Sequence, residues 1–180
     1  MQVGINVEEQ EFLNHTTLNP RVKVLCFGDS ITQLGTDPYL LGWTSLLSQA
    51  YARRIDVVNR GLSGYNTTWA LEALKHIIEE WKPNSPSLIT IFFGANDAAL
   101  ENGNCRKQHV PVAIYKSNLE TIIKSLREAF LGCKIILISP PPVNEDVRDA
   151  RANAQTSLYA EACVQLAAET KVGIVNVSHL

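Results

Sequence analysis

The feature that most constrains the fold of this chain is a repeated alternation of short apolar segments with longer amphipathic ones. The apolar segments are rich in β-branched residues and indicate strands at residues 22–27, 55–59, 87–93, 134–140 and 172–177. Segments with a helical spacing of apolar residues separate them, at residues 42–54, 68–81, 111–130 and 150–171. The strands are almost continuously apolar, as expected when helices cover both faces of a sheet. The pattern predicts an α/β fold with a parallel, doubly wound sheet of five strands.

The bulk properties of the chain fit a single globular domain and exclude several kinds of partner. A length of 180 residues is enough for one domain with a sizeable core. The net charge of −2 gives no electrostatic reason to bind nucleic acid or an anionic membrane. No apolar run approaches the ~20 residues of a membrane-spanning helix. We therefore expect an extended arm over residues 1–21, which show no clear pattern, and one domain over residues 22–180.

The cysteines and the N-terminus bear on the compartment in which the protein works. The chain has four cysteines, at Cys26, Cys105, Cys133 and Cys163, with no C-x-x-C pair and no zinc-finger spacing. Cys26 and Cys133 lie in apolar runs that indicate strands, so buried free thiols are favoured over disulfides. The N-terminus is acidic and lacks the three regions of a signal peptide. These observations predict a reducing, cytoplasmic environment.

The loops after the first three strands carry residues suited to a ligand site. In parallel sheets of this kind, ligands bind at the carboxyl ends of the strands. The first loop, FGDSIT, presents the hydroxyl of Ser30 at that edge, and the third, FFGAND, presents the side-chain amide of Asn96. The second loop, NRGLSGYNT, contains Gly61 and Gly64, either of which lets a backbone N–H approach a ligand oxygen.

Each of these loops also has a plainer interpretation. Ser30 could cap a helix, the two glycines could form a simple turn, and Asn96 could belong to a turn with Asp97. Taken together, however, a hydroxyl, a backbone donor and a side-chain donor at the ends of three successive strands can converge on one point. Acyl transfer needs this combination, because it requires a nucleophile and preorganised donors for the developing oxyanion.

The three loops resemble, in the correct order, the sequence blocks of the SGNH/GDSL hydrolases. The resemblance implies that Ser30 is the nucleophile, and that its own N–H, the Gly64 N–H and the Asn96 amide form the oxyanion hole. Gly64 is preferred to Gly61 because the family's glycine precedes a turn and a threonine, as it does here in GYNT. The family fold is a three-layer αβα sandwich with a parallel, five-stranded, flavodoxin-like sheet.

Further segments resemble one branch of this family, the isoamyl acetate-hydrolysing esterases, which cleave short-chain esters. These segments are residues 42–71, KQHVP at 107–111 and ISPPPVNE at 138–145, and the resemblance as a whole covers about residues 22–177. It implies a small-molecule ester substrate and no cofactor. No metal is expected either, because the charged stretch at 145–149 is more typical of a solvated loop or a helix start.

One part of the family pattern does not occur in this sequence. The family's general base is a His in a D-x-x-H block after the fifth strand, and a final helix then covers one face of the sheet. No D-x-x-H occurs here, so we expect a C-terminally truncated domain that lacks that helix. An exposed apolar patch would then favour marginal stability or self-association as a homo-oligomer. His109 and His179 are weak candidates for the base, whereas His15 and His76 are not expected to take part.

Two functions are consistent with these observations. The first is a serine carboxylic ester hydrolase that forms an acyl-enzyme on Ser30, with low activity because loss of a triad member leaves only roughly 10³–10⁴-fold catalysis over water. The alternative is a catalytically silent SGNH-derived domain that binds an acyl ligand or a partner subunit. A nucleotide-binding domain is disfavoured, since both glycine-rich nucleotide motifs are missing. Tyr39, Trp43 and Trp69 could line a pocket or belong to the core.

Overall fold

The computed structural model describes residues 21–147 and 150–179. The predicted arm, apart from its last residue, and His15 lie outside the described residues. The strands are β1 (Val22–Gly28), β2 (Ile55–Gly61), β3 (Leu88–Phe92), β4 (Lys134–Ile138) and β5 (Gly173–Val175). The helices are α1 (Ser30–Gln33), α2 (Trp43–Ala50), α3 (Thr67–Trp81), α4 (Val112–Ala129) and α5 (Asn153–Thr170). Single turns of 3₁₀ helix occupy residues 34–36, 82–84 and 106–108.

The strands form one parallel sheet in the order β2-β1-β3-β4-β5. The predicted α/β class and the five-stranded, flavodoxin-like sheet are therefore confirmed. The strand order reverses between β1 and β3, the point at which ligands bind in sheets of this kind. Gly28 at the end of β1 pairs with Gly61 of β2 and Phe92 of β3, so these three strands end level with one another.

Helices α3, α4 and α5 pack side by side on one face of this sheet and enclose the main core. The strands, with Phe93 just after β3, contribute the alternate side chains that point to this face: Leu25, Phe27, Ile89, Ile91, Phe93, Ile135 and Leu137. Helix α4 contributes apolar residues at helical spacing: Leu119, Ile122, Ile123 and Leu126, each at most 1% exposed. Burying a side chain of this size contributes about 1.5–3 kcal/mol. The core therefore holds the loops of the switch point in place.

The predicted helix ends differ from the observed ones for local reasons. The helix predicted over residues 42–54 ends at Ala50, because Tyr51–Arg54 form a turn in which Arg53 has a φ of 69°. The helix predicted over residues 150–171 begins only at Asn153, since Ala152 before it has an extended backbone. Helix α1, only four residues long, was not anticipated, because so short a segment has no readable period.

All four cysteines are free thiols, and only Cys26 and Cys163 are buried. Cys133, predicted to be buried, is half-buried and precedes β4. Burial raises the pKa of the Cys133 thiol to about 11 and that of Cys163 to about 12. Both thiols are therefore protonated, and neither is a ready nucleophile at neutral pH.

Candidate active site

Ser30 is the first residue of α1, and its neighbour Asp29 caps that helix. The Asp29 backbone is extended, and its Oδ1 accepts a hydrogen bond of 2.9 Å from the N–H of Ile31. The Asp29 N–H donates to the Phe92 carbonyl oxygen, which ties this turn to the end of β3. Because Asp29 supplies the cap, the hydroxyl of the half-buried Ser30 remains without a hydrogen-bond partner among the described residues.

The two glycines of the second loop lie in different environments. Gly61 donates its N–H to Asn59 Oδ1 at 2.8 Å, and a Cβ built on it would lie 2.0 Å from the backbone nitrogen of Gln33. Gly64 has a φ of +83°, and its N–H has no partner in the part of the chain that the structure describes. The N–H of Ser63, one residue earlier, donates to Gln33 Oε1 at 2.8 Å. Of the two glycines, only Gly64 thus has an N–H available to a ligand.

The third loop places Asn96 and Asp97 against the second loop. Asn96 is 5% exposed, and its Nδ2 donates to the Tyr65 carbonyl oxygen at 2.8 Å, which leaves its second N–H for another acceptor. Asp97 is fully buried and accepts from both the N–H and the hydroxyl of Thr67. The loops that carry Ser30, Gly64 and Asn96 are therefore joined by hydrogen bonds at one edge of the sheet.

Two buried carboxyl groups make this edge electrostatically unusual. Burial raises the pKa of Asp29 to about 7 and that of Asp97 to about 6. In each case one oxygen, Oδ2, is buried without a hydrogen-bond partner among the described residues. The Arg151 guanidinium partly offsets the rise for Asp29 by favouring its charged form.

A sequence model of the GDSL-like Lipase/Acylhydrolase family matches residues 26–180 of the chain. A GDSL esterase/lipase of Arabidopsis thaliana is 41% identical over 171 residues, covering 87% of this chain and 70% of that relative. The chain belongs to the GDSL-like lipase/acylhydrolase family. The resemblance read from its three sequence blocks is thereby confirmed. The relatives of this GDSL chain are carboxylic ester hydrolases, and the chain belongs to the same class of enzyme.

Two further comparisons relate this GDSL-family chain to a named esterase and to a solved structure. An isoamyl acetate-hydrolyzing esterase 1 homolog of Rattus norvegicus is 39% identical over 166 residues, which cover 86% of this chain and 66% of the rat protein. The crystal structure of a lipase/acylhydrolase from Enterococcus faecalis matches with a TM-score of 0.68 at 28% identity. That match covers 87% of this chain and 76% of the bacterial one, and it confirms the SGNH hydrolase fold.

The described histidines of this GDSL chain do not reach the Ser30 hydroxyl through a hydrogen bond. His109 Nδ1 lies 2.6 Å from the Ala99 carbonyl oxygen, and its Nε2 lies 3.3 Å from a Glu101 carboxylate oxygen. Both ring nitrogens of His109 are thus engaged within their own loop. His76 is exposed on α3, and His179 is exposed in the turn after β5.

The three aromatic residues considered as pocket candidates lie in different environments. Trp69 lines an open groove between the end of β2 and α3, together with Leu62 and Tyr65. Trp43 packs edge-on against Phe92, while its indole N–H donates to a backbone carbonyl of α1. Tyr39 is 95% exposed. Only Trp69 therefore has the position expected of a pocket residue.

Two residues that the sequence did not point to touch this GDSL site. Arg151 donates to Asn96 Oδ1 at 2.8 Å, and Gln108 donates to the Gly64 carbonyl oxygen at 3.0 Å. Gln108 lies in the KQHVP segment, so the branch resemblance was the one available signal for it. No local pattern marks Arg151, which precedes α5.

The described residues show neither a metal cluster nor a membrane-spanning helix. Over residues 21–147 and 150–179, no three His, Cys, Asp or Glu side chains come together as metal ligands would. Of the charged stretch at 145–149, residues 145–147 are exposed in a turn, and the other two lie outside the described residues. No helix in these ranges is long and apolar enough to cross a membrane.

Proposed function

We propose that this chain hydrolyses short-chain, acetate-type esters through an acyl-enzyme on Ser30. The observation that carries the proposal is that Asp29, rather than Ser30, caps α1. The Ser30 hydroxyl is thereby left free at the edge where Gly64 keeps an unused N–H and Asn96 keeps a second N–H. A free hydroxyl beside free donors is what attack on an ester carbonyl requires.

In the proposed reaction, Ser30 Oγ attacks the ester carbonyl carbon and the carbonyl π electrons move onto oxygen. The N–H groups of Ser30, Gly64 and Asn96 stabilise that oxyanion, which collapses to acyl-Ser30 and expels the alcohol oxygen with a proton. Water then attacks the acyl-Ser30 carbonyl and loses a proton, the bond to Oγ breaks as Oγ takes up a proton, and the carboxylic acid leaves. Each proton that leaves Oγ or water needs a base.

We expect low activity from these 180 residues by themselves. No described histidine bonds to Ser30, so its proton has to pass to solvent or to a distant group. A serine without a positioned base is a weak nucleophile. This same observation favours the second candidate function, a catalytically silent domain that binds an acyl ligand or a partner subunit.

The substrate class is supported by the relatives and by aromatic surface beside the second loop. Several mammalian relatives carry the name isoamyl acetate-hydrolyzing esterase 1 homolog. A groove beside the second loop is lined by Leu62, Tyr65 and Trp69, together with Arg60, Glu72 and His76. Its aromatic and apolar part suits an apolar alcohol or acyl group of modest size.

The compartment proposed from the sequence, a reducing cytoplasm, is supported by the four free thiols. Thiols persist where glutathione and thioredoxin keep them reduced. Alkylation of lysates in denaturant, with and without prior reduction, would test this, since all four thiols, the buried Cys26 and Cys163 included, should then react without reduction.

The test is p-nitrophenyl acetate hydrolysis by the parent chain and by Ser30→Ala, side by side. Ser48→Ala is the matched control, because Ser48 is exposed on α2 and away from the three loops. We expect parent and Ser48→Ala to release p-nitrophenolate at the same low rate and to carry an acetyl adduct on Ser30 by mass spectrometry, while Ser30→Ala does neither. If Ser30→Ala matches a catalytically active parent, the nucleophile assignment is wrong. If all three remain at the buffer rate, the silent domain is the better description.

A further inference from the structure

Arg151 lies between β4 and α5, and the backbone of each neighbouring residue is hydrogen-bonded. Its neighbour Ala150 is 5% exposed, and the Ala150 carbonyl oxygen accepts a hydrogen bond of 3.0 Å from the N–H of Leu100. On the other side, Ala152 is the residue from which α5 starts, and its carbonyl oxygen accepts the first helical hydrogen bonds. The backbone on both sides of Arg151 is therefore anchored, and its half-buried side chain is directed at the third loop.

The Arg151 guanidinium donates three hydrogen bonds to neutral oxygens around the candidate oxyanion hole. Nε donates to the Ala95 carbonyl oxygen at 2.7 Å. Nη2 donates to Asn96 Oδ1 at 2.8 Å and to Gln108 Oε1 at 2.9 Å. One cation thus orients two side-chain amides at once, through the planar and rigid geometry of its donors.

The bond to Asn96 determines which way that amide faces. A flipped amide would turn its NH₂ group toward the guanidinium, so Oδ1 must face Arg151 and Nδ2 must face the second loop. Nδ2 then donates one N–H to Tyr65 and keeps the other for the oxyanion. A cation on the carbonyl side also polarises the amide, and polarised donors form stronger hydrogen bonds.

The bond to Gln108 extends the same control to Gly64. With Oε1 held by Arg151, Gln108 directs Nε2 at the Gly64 carbonyl oxygen, 3.0 Å away. The preceding Ser63 N–H is held by Gln33. Gly64 has the left-handed φ of +83°, and these two hydrogen bonds hold the peptide groups on either side of the one that carries its N–H.

The geometry points to Arg151 as a positioning residue for the oxyanion hole, acting on Asn96 directly and on Gly64 through Gln108. This inference rests on the proposed function, in which Asn96 and Gly64 donate to the oxyanion. Among the described residues, the hydrogen bonds of Arg151 go to the oxygens of Ala95, Asn96 and Gln108, so its role is to position other groups.

The kinetic test compares Arg151→Gln and Arg151→Lys with the parent in Ser30-dependent p-nitrophenyl acetate hydrolysis. Removal of an oxyanion donor costs about 10²–10³ in kcat, so we expect Arg151→Gln to lower kcat by about 10–100-fold, with KM changed less than about 3-fold. Arg151→Lys keeps the charge but loses the planar set of donors, so its kcat should lie between those of the parent and Arg151→Gln. Arg127→Gln is the control, because Arg127 donates to the Thr170 carbonyl oxygen on the helical face.

A double-mutant cycle separates positioning from a general effect on the fold. If Arg151 works through Asn96, Arg151→Gln should cost less in an Asn96→Ala background, because only its route through Gln108 to Gly64 then remains. A loss of the same factor in both backgrounds, or no loss in either, would overturn the inference. Thermal melts followed by circular dichroism identify any variant that lowers activity by unfolding.

A measurement without turnover keeps the inference testable if Ser30 proves inactive. The side-chain NH₂ signals of Asn96 in ¹⁵N–¹H spectra report its hydrogen bonds directly. We expect Arg151→Gln to shift these signals and to speed their exchange with water, and Arg127→Gln to leave them unchanged. Unchanged Asn96 signals in folded Arg151→Gln would refute the role of Arg151, whereas failure of the Ser30→Ala comparison would count against the proposed function alone.

Discussion

Gly61 and Gly64 lie three residues apart in one loop but meet different physical demands. Gly61 is needed for space, since a Cβ on it would lie 2.0 Å from the Gln33 nitrogen and 2.4 Å from the Gln33 Cα. Gly64 is needed for its conformation, because its φ is +83° while the space around it is open except for Gln108 at 3.6 Å. Crowding by backbone cannot be relieved by a side-chain rotation, whereas a left-handed alanine costs only about 1–2 kcal/mol.

We therefore expect Gly61→Ala to affect mainly stability and Gly64→Ala to affect mainly hydrolysis. Gly61→Ala should lower the free energy of unfolding more than Gly64→Ala, because the second loop must move away from α1. Gly64→Ala should fold and yet lose more Ser30-dependent hydrolysis for each kcal/mol of stability lost, since its N–H direction changes. Urea unfolding and p-nitrophenyl acetate assays on both variants check this, and the reverse order of effects would contradict it.

At the level of secondary-structure elements, the start of α3 connects two of the candidate site's loops. Asn66 caps the helix through Oδ1, which accepts from the Trp69 N–H at 3.0 Å. Its Nδ2 donates to the Gln108 carbonyl oxygen at 2.9 Å, and the side chain is 3% exposed. The next residue, Thr67, bonds to Asp97. One helix terminus thus holds the second loop against both the KQHVP segment and the third loop.

Asn66→Ala should lower the free energy of unfolding by about 1–3 kcal/mol, because it removes the cap and leaves the Gln108 carbonyl oxygen unpaired. Asn66→Ser can still cap α3 but does not reach Gln108, so its loss should be smaller. Asn84→Ala, at an exposed asparagine that bonds to Lys23, should cost less than about 0.5 kcal/mol. Equal losses for the alanine and serine variants in urea titrations would show that the cap contributes nothing.

At the scale of the whole molecule, buried carboxyl groups and exposed apolar edges bear on stability. Asp29 is 1% exposed and Asp97 is fully buried, so folding disfavours the charged form of both. At the far end of the sheet, Ile174 and Val175 of the short edge strand β5 are 39% and 46% exposed. Self-association through exposed apolar surface, expected from the sequence, stays a prediction.

The stability of the protein should fall as pH rises from about 4 to about 7. The pKa of Asp29 is raised by burial from 3.8 to about 7, so within this window the folded state holds a proton that the unfolded state has lost. The stability that protonated Asp29 contributes is fully present below pH 3.8 and is lost as pH passes through about 7. Since one pKa unit corresponds to about 1.4 kcal/mol, the change amounts to a few kcal/mol. Asp97, with a pKa of about 6, adds a change of the same sign.

Asp29→Asn isolates this effect, because an asparagine oxygen can still accept from the Ile31 N–H. We expect the variant to flatten the dependence of unfolding free energy on pH and to be more stable than the parent at pH 8. Asn84→Ala, which removes no titratable group, is the control and should keep the slope of the parent. A parent that becomes more stable between pH 4 and 7 in urea titrations would contradict the assignment to buried Asp29.

The local pattern of the chain was enough to predict all five strands, their parallel arrangement and the loops that carry Ser30, Gly64 and Asn96. Apolar runs and helical spacing are properties of neighbouring residues, and parallel strands necessarily bring their carboxyl ends to one edge. The choice of Ser30, Gly64 and Asn96 as site residues remains a proposal.

Only the tertiary structure decided which groups in those loops are still free to act. It engaged the Ser63 N–H with Gln33 and one N–H of Asn96 with Tyr65, and it left the Gly64 N–H without a partner among the described residues. It also placed Arg151 in hydrogen-bond contact with Asn96, 55 residues away in sequence, and with Gln108, 43 residues away. Contacts over such separations leave no trace in local periodicity, because they exist only once the packed helices and the sheet hold distant segments together.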